Sequence, residues 1–565
     1  MNMTHDTRAP SSLEPDAAKL EVDVVIVGAG FAGMYALHSL RERGFSVLAI
    51  ERGDDVGGVW YWNRYPGARC DIDSMEYSYG FSEALQQEWE WTERFASQPE
   101  ILRYAQHVAD RFELRKDIRF ETEVVSARYD EGRARWQVAT SDGAQIDAQF
   151  FVLAVGCLSN ATMPNIPGLE KFRGEVIHTG RWPQEGVSLA GKRVGIVGTG
   201  SSGVQAVPVI AREAGSLTVF QRTATYTVPA RNGPLDPAYV RKVKADYAGF
   251  RKRNRQMIGG AGADRLQPEK HSVFDITPEQ REQAFLARWQ AGGMGLQSTF
   301  PELRADLEAN YYLADFMRRQ IRQIVADPQR AELLTPKHVA GCKRMCLDSG
   351  YYQAFNQDNV KVVDVSATPI TAFTQDGLLV GDELHELDCM VFATGYDAMT
   401  GSMLAIDIAG RDGISLRDAW SAGPRTYLGL ATVGFPNMFV LAGPGSPSVL
   451  ANVIVAIEQH VEWLTACLVR LRDAGIASIE ATIESQDAWV DHVNEVASHT
   501  LYTKCNSWYL GANIPGKARV FMPLIGFPAY SAKCDEVVAR GYEGFVLEGP
   551  DGTAATPDRE AKAQS

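Results

Sequence analysis

The sequence has no run of about 18 or more uncharged apolar residues, so no membrane-crossing helix is expected. Its first 20 residues lack the apolar stretch of a secretory signal, which points to a cytoplasmic protein. Basic charge is not in excess either. Lys and Arg number 56 against 70 Asp and Glu, a net charge of -14. Nucleic acid is therefore not expected as a partner, because phosphate binding needs a basic surface. Cysteine is sparse, with eight residues: Cys70, Cys157, Cys342, Cys346, Cys389, Cys467, Cys505 and Cys534. None forms a CxxC pair, and Cys342 and Cys346 have no second ligand pair with them. No metal site or redox dithiol is expected, and the eight read as reduced core thiols.

At 565 residues the chain exceeds one ordinary hydrophobic core, so two or three domains are expected. Two stretches carry the strongest local signal. The first is VDVVIVGAGFAGMYALHSLRERG, residues 22 to 44. A short β-branched run ends in Gly28, Gly30 and Gly33 at GxGxxG spacing, followed by an apolar-periodic helix and Gly44 as its stop. Gly28 permits the tight turn, Gly30 admits a pyrophosphate, and Gly33 lets helix and strand pack closely. The next strand ends in Glu51, placed to accept hydrogen bonds from a ribose diol.

The second is KRVGIVGTGSSGVQAVPVIAREAGSLTVFQRT, residues 192 to 223, with Gly198, Gly200 and Gly203. Its second strand ends in Gln221, Arg222 and Thr223 instead of an acid. An arginine there pairs with a 2′-phosphate that a carboxylate would repel. The alternative for Arg222 is a solvated charge at a strand end. The first loop thus reads as a site for FAD and the second as a site for NADPH. Pro208 falls inside the second helix and is expected to kink it.

The fold class is α/β, with two Rossmann-like dinucleotide-binding domains, the NADP domain inserted in the FAD domain, and a helical insertion. FFVLAVG (150–156) and LDCMVFATGYD (387–397) read as returning strands of the FAD domain that bracket the NADP fold. Boundaries follow: a disordered tail 1–20, the FAD domain 21–158, the NADP domain 159–236, a helical insertion 237–336, the NADP domain again 337–386, the FAD domain again 387–547, and a flexible tail 548–565. Within the insertion, Thr277-Pro278 reads as an N-cap followed by proline at the first helical position.

Residues 172 to 183 read FRGEVIHTGRWP. This resembles the signature FxGxxxHxxxW(P/D) of type I Baeyer–Villiger monooxygenases, through Phe172, Gly174, His178, Trp182 and Pro183. GGVWYWNRYPGARCD (57–71), KRMCLDSGYYQAFNQDNV (343–360) and SWYLGANIPGK (507–517) are similar to further stretches of that family, in the same order. GPGSPSVL (443–450) and RYPGARCD resemble the phenylacetone and steroid monooxygenase branch.

The resemblance implies oxidation of a small-molecule ketone to an ester or lactone by O2 and NADPH, through a C4a-peroxyflavin that must remain an anion. It implies Arg344 as the cation that stabilises this anion and Asp71 as its orienting carboxylate. Alone, Lys343-Arg344 would read as an ordinary surface pair. Lys343 is then implied as a 2′-phosphate contact beside Arg222 and Thr223. Gly58 and Trp60 are implied near the flavin, although Trp60 and Trp62 serve equally well as core aromatics. Trp508 is implied to meet the nicotinamide and line the substrate pocket, the alternative being a structural aromatic. His178 is implied to be a positioning residue at the domain junction. Ser446, Ser448, Val449 and Leu450 are implied to shape a pocket for aryl, bulky cyclic or steroid-like ketones. A monomer or weak oligomer is expected.

Two other functions share these nucleotide loops. A flavin-dependent N- or S-oxygenase has less need of an arginine beside the oxygen, and its related motif usually lacks the Trp182-Pro183 ending. A non-catalytic redox sensor would not need Asp71 and Arg344 intact.

Overall fold

The computed structural model describes residues 19–265, 268–523 and 526–555. The β-branched run before the first glycine loop forms the strand Lys19–Val27 at the heart of an eight-stranded sheet. Side chains alternate across it. Val24 and Ile26 face the helices Phe31–Glu42 and Val453–Asp473, whereas Val25 and Val27 face Trp136, Phe151 and Met438. With both faces covered, these four positions are apolar without interruption. The strand pairs in parallel with Val47–Ile50 and Gln145–Leu153. Gln145–Leu153 pairs with antiparallel Arg135–Thr140 through its first residues and with parallel Met438–Val440 through its last. It is a branch point, and Trp136 is sealed beside it with its indole N–H donating to the Pro436 carbonyl at 2.8 Å.

A second sheet holds five parallel strands in the order Val360–Asp364, Ser216–Gln221, Arg193–Val197, Cys389–Phe392, Glu175–His178. All lie between residues 175 and 392, while the first sheet takes strands from before 153 and after 407. The second domain is therefore inserted into the first. One expectation is corrected. Cys389–Phe392, in the middle of LDCMVFATGYD, pairs with Arg193–Val197 and Glu175–His178, so it belongs to the second sheet and not the first. An unforeseen three-stranded antiparallel sheet, Ile370–Phe373, Gly377–Val380 and Glu383–Glu386, precedes it.

Between the two halves of the second domain, the helices Pro237–Ala245, Tyr247–Arg255, Pro278–Ala291, Leu307–Ile324 and Pro328–Leu334 are laid down. Pro278–Ala291 opens with a reciprocal cap. The Thr277 hydroxyl accepts from the Gln280 N–H, and the Gln280 side chain accepts from the Thr277 N–H. Phe285, Trp289, Leu313 and Phe316 build a separate core there. The helix Ser201–Glu213 runs through Pro208 without a break.

Both presumed tails include residues that take part in the described structure. Lys19 and Leu20 already pair with Gln145 and Ile146, and most of the presumed leading tail, residues 1–18, lies outside the described residues. Glu548 ends the strand Phe545–Glu548, which pairs with Ser478–Ala481, and its carboxylate accepts from Arg411. A turn then brings Ala554 back to Glu548. Residues 556–565 lie outside the described residues. The cysteine reading is also corrected. Cys342 and Cys505 form a disulfide, with Cα atoms 5.9 Å apart, and the other six are free thiols. No helix among the described residues is long and apolar enough to cross a membrane.

Candidate active site

Gly30 leads into the helix Phe31–Glu42 and Gly200 into Ser201–Glu213. No side chain caps either helix start, so their first N–H groups are available to an anion. A Cβ on Gly33 would stand 1.8 Å from the Gly28 carbonyl oxygen, and one on Gly203 would stand 2.2 Å from that of Gly198. Helix and strand approach too closely for any other residue. A Cβ on Gly30 would meet only the backbone of Gly58, at 3.4 Å from its Cα, and one on Gly200 would meet nothing within 4 Å. These bare strips fit a pyrophosphate. Glu51 is buried and its carboxylate accepts from the N–H groups of Ala29 and Gly53, both at 2.8 Å. It braces the first loop and keeps lone pairs for a ribose.

At the second loop, the Thr199 hydroxyl donates to the Thr223 carbonyl at 2.7 Å and fixes the strand end beside Arg222. Burial, followed by the nearby Arg222, pulls the Lys343 ammonium below its ordinary value. No salt bridge to either Arg222 or Lys343 is present among the described residues. Two neighbouring cations without a carboxylate fit a dianionic phosphate.

Arg344 precedes the strand Cys346–Asp348, which pairs with Thr227–Pro229 and carries the arginine away from the second domain toward the first. Its Nε and Nη2 donate to Asp71 Oδ2 at 3.0 and 2.7 Å, and Nη1 donates to the Val449 carbonyl at 2.8 Å. The two side chains remain 24% and 21% exposed. Burial opposes the guanidinium charge, but Asp71 and the Tyr509 hydroxyl more than offset it, and Arg344 is held well above its ordinary value. The same enclosure pushes the Tyr509 phenol up to about 12. Of five guanidinium N–H groups, three are engaged by Asp71 and Val449, and the Tyr509 hydroxyl meets the guanidinium as well.

Trp508 forms a short turn with Tyr509, their ring centroids 4.3 Å apart. Trp508 and Val449 pack with Cys157, Leu158, Ala398, Met399 and Met522. The structure thus brings Asp71, Arg344, Val449 and Trp508 together. Ser446 and Ser448 are fully buried and donate to the carbonyls of Gly443 and Ala442, so they shape the loop instead of facing a pocket. Leu450 packs with Tyr502, Tyr509 and Phe521. Sequence reasoning missed Tyr509, Cys157, Leu158, Met399 and Met522. Tyr509 was in view next to Trp508, and Cys157-Leu158 directly follow FFVLAVG.

His178 ends the strand Glu175–His178 and is 3% exposed. Its Nδ1 accepts from the Gly180 N–H at 3.0 Å, and Nε2 lies 3.3 Å from the Thr394 hydroxyl. Burial, and then Arg181, lowers its pKa to about 4, so the ring is neutral and tied on both sides. Phe172 packs on Phe373, Gly174 admits the Phe172 ring and the Asp388 carbonyl, and Trp182 is buried in the second core. Around them the domains meet. Gln205 of the second glycine helix accepts from the Tyr65 hydroxyl at 2.7 Å and donates to the Arg69 carbonyl at 3.0 Å. Tyr396 donates to Asn63. Trp60 donates to the Tyr77 hydroxyl at 2.9 Å and packs against the first core, whereas Trp62 carries Arg52 over its ring.

Comparison with known proteins agrees with this geometry. The profile of the flavin-binding monooxygenase-like family matches residues 21–233. A Baeyer–Villiger monooxygenase of Pseudooceanicola batsensis is 41% identical over 94% of this chain and 96% of its own. A phenazine N-monooxygenase of Lysobacter antibioticus is 40% identical over 94% and 98%. The structure of an oxidised steroid monooxygenase bound to NADP superimposes with a TM-score of 0.89 at 48% identity, covering 93% of this chain and 99% of that one. With its two nucleotide loops, its paired Arg344 and Asp71, and this likeness along nearly its whole length, the chain belongs to the Baeyer–Villiger monooxygenases, flavoenzymes that use FAD and NADPH to oxidise ketones.

Proposed function

We propose that Arg344 is the catalytic cation of this oxygenation, held in place by Asp71, and that its ketones are aryl, bulky cyclic or steroid-like. The observation that carries the first part is the Arg344–Asp71 pair at 2.7 Å, which fixes a charged guanidinium. FAD bound here and reduced by NADPH would activate O2, from which the inserted oxygen comes. The chain's own residues do the rest. Gly28, Gly30, Gly33, Glu51 and Gly58 hold FAD, while Gly198, Gly200, Gly203, Arg222, Thr223 and Lys343 hold NADPH. Asp71 takes two donors of the guanidinium and the Val449 carbonyl takes a third, so the plane is set before substrate arrives. The fixed guanidinium charge stabilises negative charge where it develops. Trp508, Val449 and Met522 exclude water around it.

The choice of apolar ketones rests on Val449, Leu158, Met399 and Met522 beside Trp508, which are apolar and offer no charged group to a substrate. A steroid monooxygenase among the similar structures supports that reading. The phenazine N-monooxygenase among the relatives favours N-oxygenation as the second reading.

The test is product analysis by mass spectrometry with FAD, NADPH, air and a panel of ketones, sulfides and heteroaromatic amines. An ester or lactone one oxygen heavier than its ketone supports the first reading, and clean N-oxide formation without ester supports the second. Arg344→Ala is expected to keep flavin reduction by NADPH and to lose ester formation by roughly 100-fold or more, as when a preorganised donor is removed. Normal ester yield in that variant would refute the assignment.

A further inference from the structure

The disulfide has no place in the account above. It joins two segments that the reaction reading uses. Cys342 lies two residues before Arg344, and Cys505 three before Trp508. Neither cysteine sits in a helix or strand. Residues 335–345 connect the helix Pro328–Leu334 to the strand Cys346–Asp348, and residues 499–523 hold only the short turns Leu501–Lys504 and Trp508–Leu510. The Cys342 side is anchored, because Asn310 donates to the Ala340 carbonyl at 2.8 Å and accepts from its N–H at 2.9 Å. On the Cys505 side Tyr502 packs on Tyr509 and Phe521, and the bridge adds a covalent tie from this segment to the Arg344 loop.

Access is one-sided as well. Cys342 is fully buried, whereas Cys505 is partly exposed, so an exchanging thiol can reach the bond at Cys505. The other six cysteines are unsuited to exchange. Burial holds their thiols above the ordinary value, at about 12 for Cys389 and Cys534 and higher still for Cys467.

We propose that Cys342–Cys505 is a redox-sensitive latch that positions the Trp508 turn against the Arg344 loop, and that opening it lets NADPH oxidation proceed without ester formation. The proposal rests on the reading of Arg344 and Trp508 given above. The latch closes by a two-electron oxidation whose oxidant is hydrogen peroxide, the product of oxygen reduction without substrate oxygenation. One thiolate attacks a peroxide oxygen, which breaks the O–O bond and leaves a sulfenic acid and water. The second thiol displaces a second water, and the S–S bond forms. Two thiols and one peroxide thus give one disulfide and two waters. A dithiol reductant returns two electrons and two protons and reopens it. Wasted turnover thereby makes the oxidant that restores productive turnover.

The experiment uses the full-length holoenzyme in three forms: treated with hydrogen peroxide, reduced and freed of reductant, and as Cys505→Ser. Maleimide labelling under denaturing conditions counts thiols, protease nicking within residues 499–515 reports the turn, and parallel assays follow NADPH, peroxide and ester. The peroxide-treated enzyme is expected to show six thiols and a linked Cys342–Cys505 peptide, and the reduced enzyme eight. Reduction and Cys505→Ser should each speed nicking and raise the peroxide share of NADPH consumption several-fold, with reductant adding nothing in the variant. Eight thiols after peroxide treatment overturns the latch. So does a peroxide share and a nicking rate that are equal in all three forms. If no form makes ester, the thiol count and nicking still decide the latch, and the oxygenation reading alone falls.

Discussion

Arg222 and Lys343 show how much one side chain can decide. The backbone of the second glycine loop serves NADH and NADPH alike, and in the function proposed above Arg222 and Lys343 are the cations placed for the extra phosphate. Arg222→Ala is expected to weaken NADPH binding by about 1.5–3 kcal/mol, the worth of a hydrogen bond to a charged group, and to leave NADH nearly unchanged. Steady-state KM values for the two cofactors check it, and equal losses would remove Arg222 from the site. Such residues are legible in a sequence because their place is local, one step past a strand that follows a glycine loop. Arg344 was legible only through its motif, since Lys343-Arg344 alone resembles any surface pair. The Val449 carbonyl that holds it is 105 residues away and belongs to the backbone, so no residue type marks it. Tyr509 was passed over because a buried phenol beside a tryptophan reads as core.

Among the elements, helices with caps and strands before glycine loops were readable in advance, because their signals lie within a few residues. The strand Cys389–Phe392 was assigned to the wrong sheet for a physical reason. A strand buried on both faces is a short apolar run in either sheet, and periodicity says nothing about its neighbours.

The docking of the helical insertion on the first domain was equally hidden. There Glu76 is 4% exposed and accepts from the Gly262 N–H at 2.9 Å. Burial, with Asp73 nearby, raises its pKa from 4.5 to about 8. A raised folded pKa stabilises below the unfolded value, and that stability is lost as pH climbs from 4.5 through 8. Glu76→Gln keeps an acceptor for Gly262 and cannot ionise. Its stability relative to the parent, followed by thermal melting, is expected to rise with pH across that window, by on the order of 3 kcal/mol at pH 7. A difference that does not change with pH would mean that Glu76 is charged in the fold.

For the molecule as a whole, the reaction needs both nucleotide sites, and Gln205 is among the polar groups that tie the two domains together. Gln205→Ala removes the partner of the Tyr65 hydroxyl and the Arg69 carbonyl. It is expected to cost about 1–3 kcal/mol in stability. It should leave the bound flavin spectrum unchanged and slow flavin reduction by NADPH roughly 10-fold, because the two loops lose their fixed distance. Stopped-flow reduction at saturating NADPH checks this, and an unchanged rate would place the registration of the domains elsewhere.

The same interleaving has a consequence for synthesis. Cys389–Phe392 fills the gap between Arg193–Val197 and Glu175–His178, and Met438–Val440 completes the first sheet. A ribosome has therefore translated more than two thirds of the message before either sheet can close. Until then Arg193–Val197 stands as a bare apolar edge, the kind that recruits strands from neighbouring nascent chains. Yield in a heterologous host should thus follow elongation speed and chaperone supply over that stretch more closely than the stability of the finished enzyme.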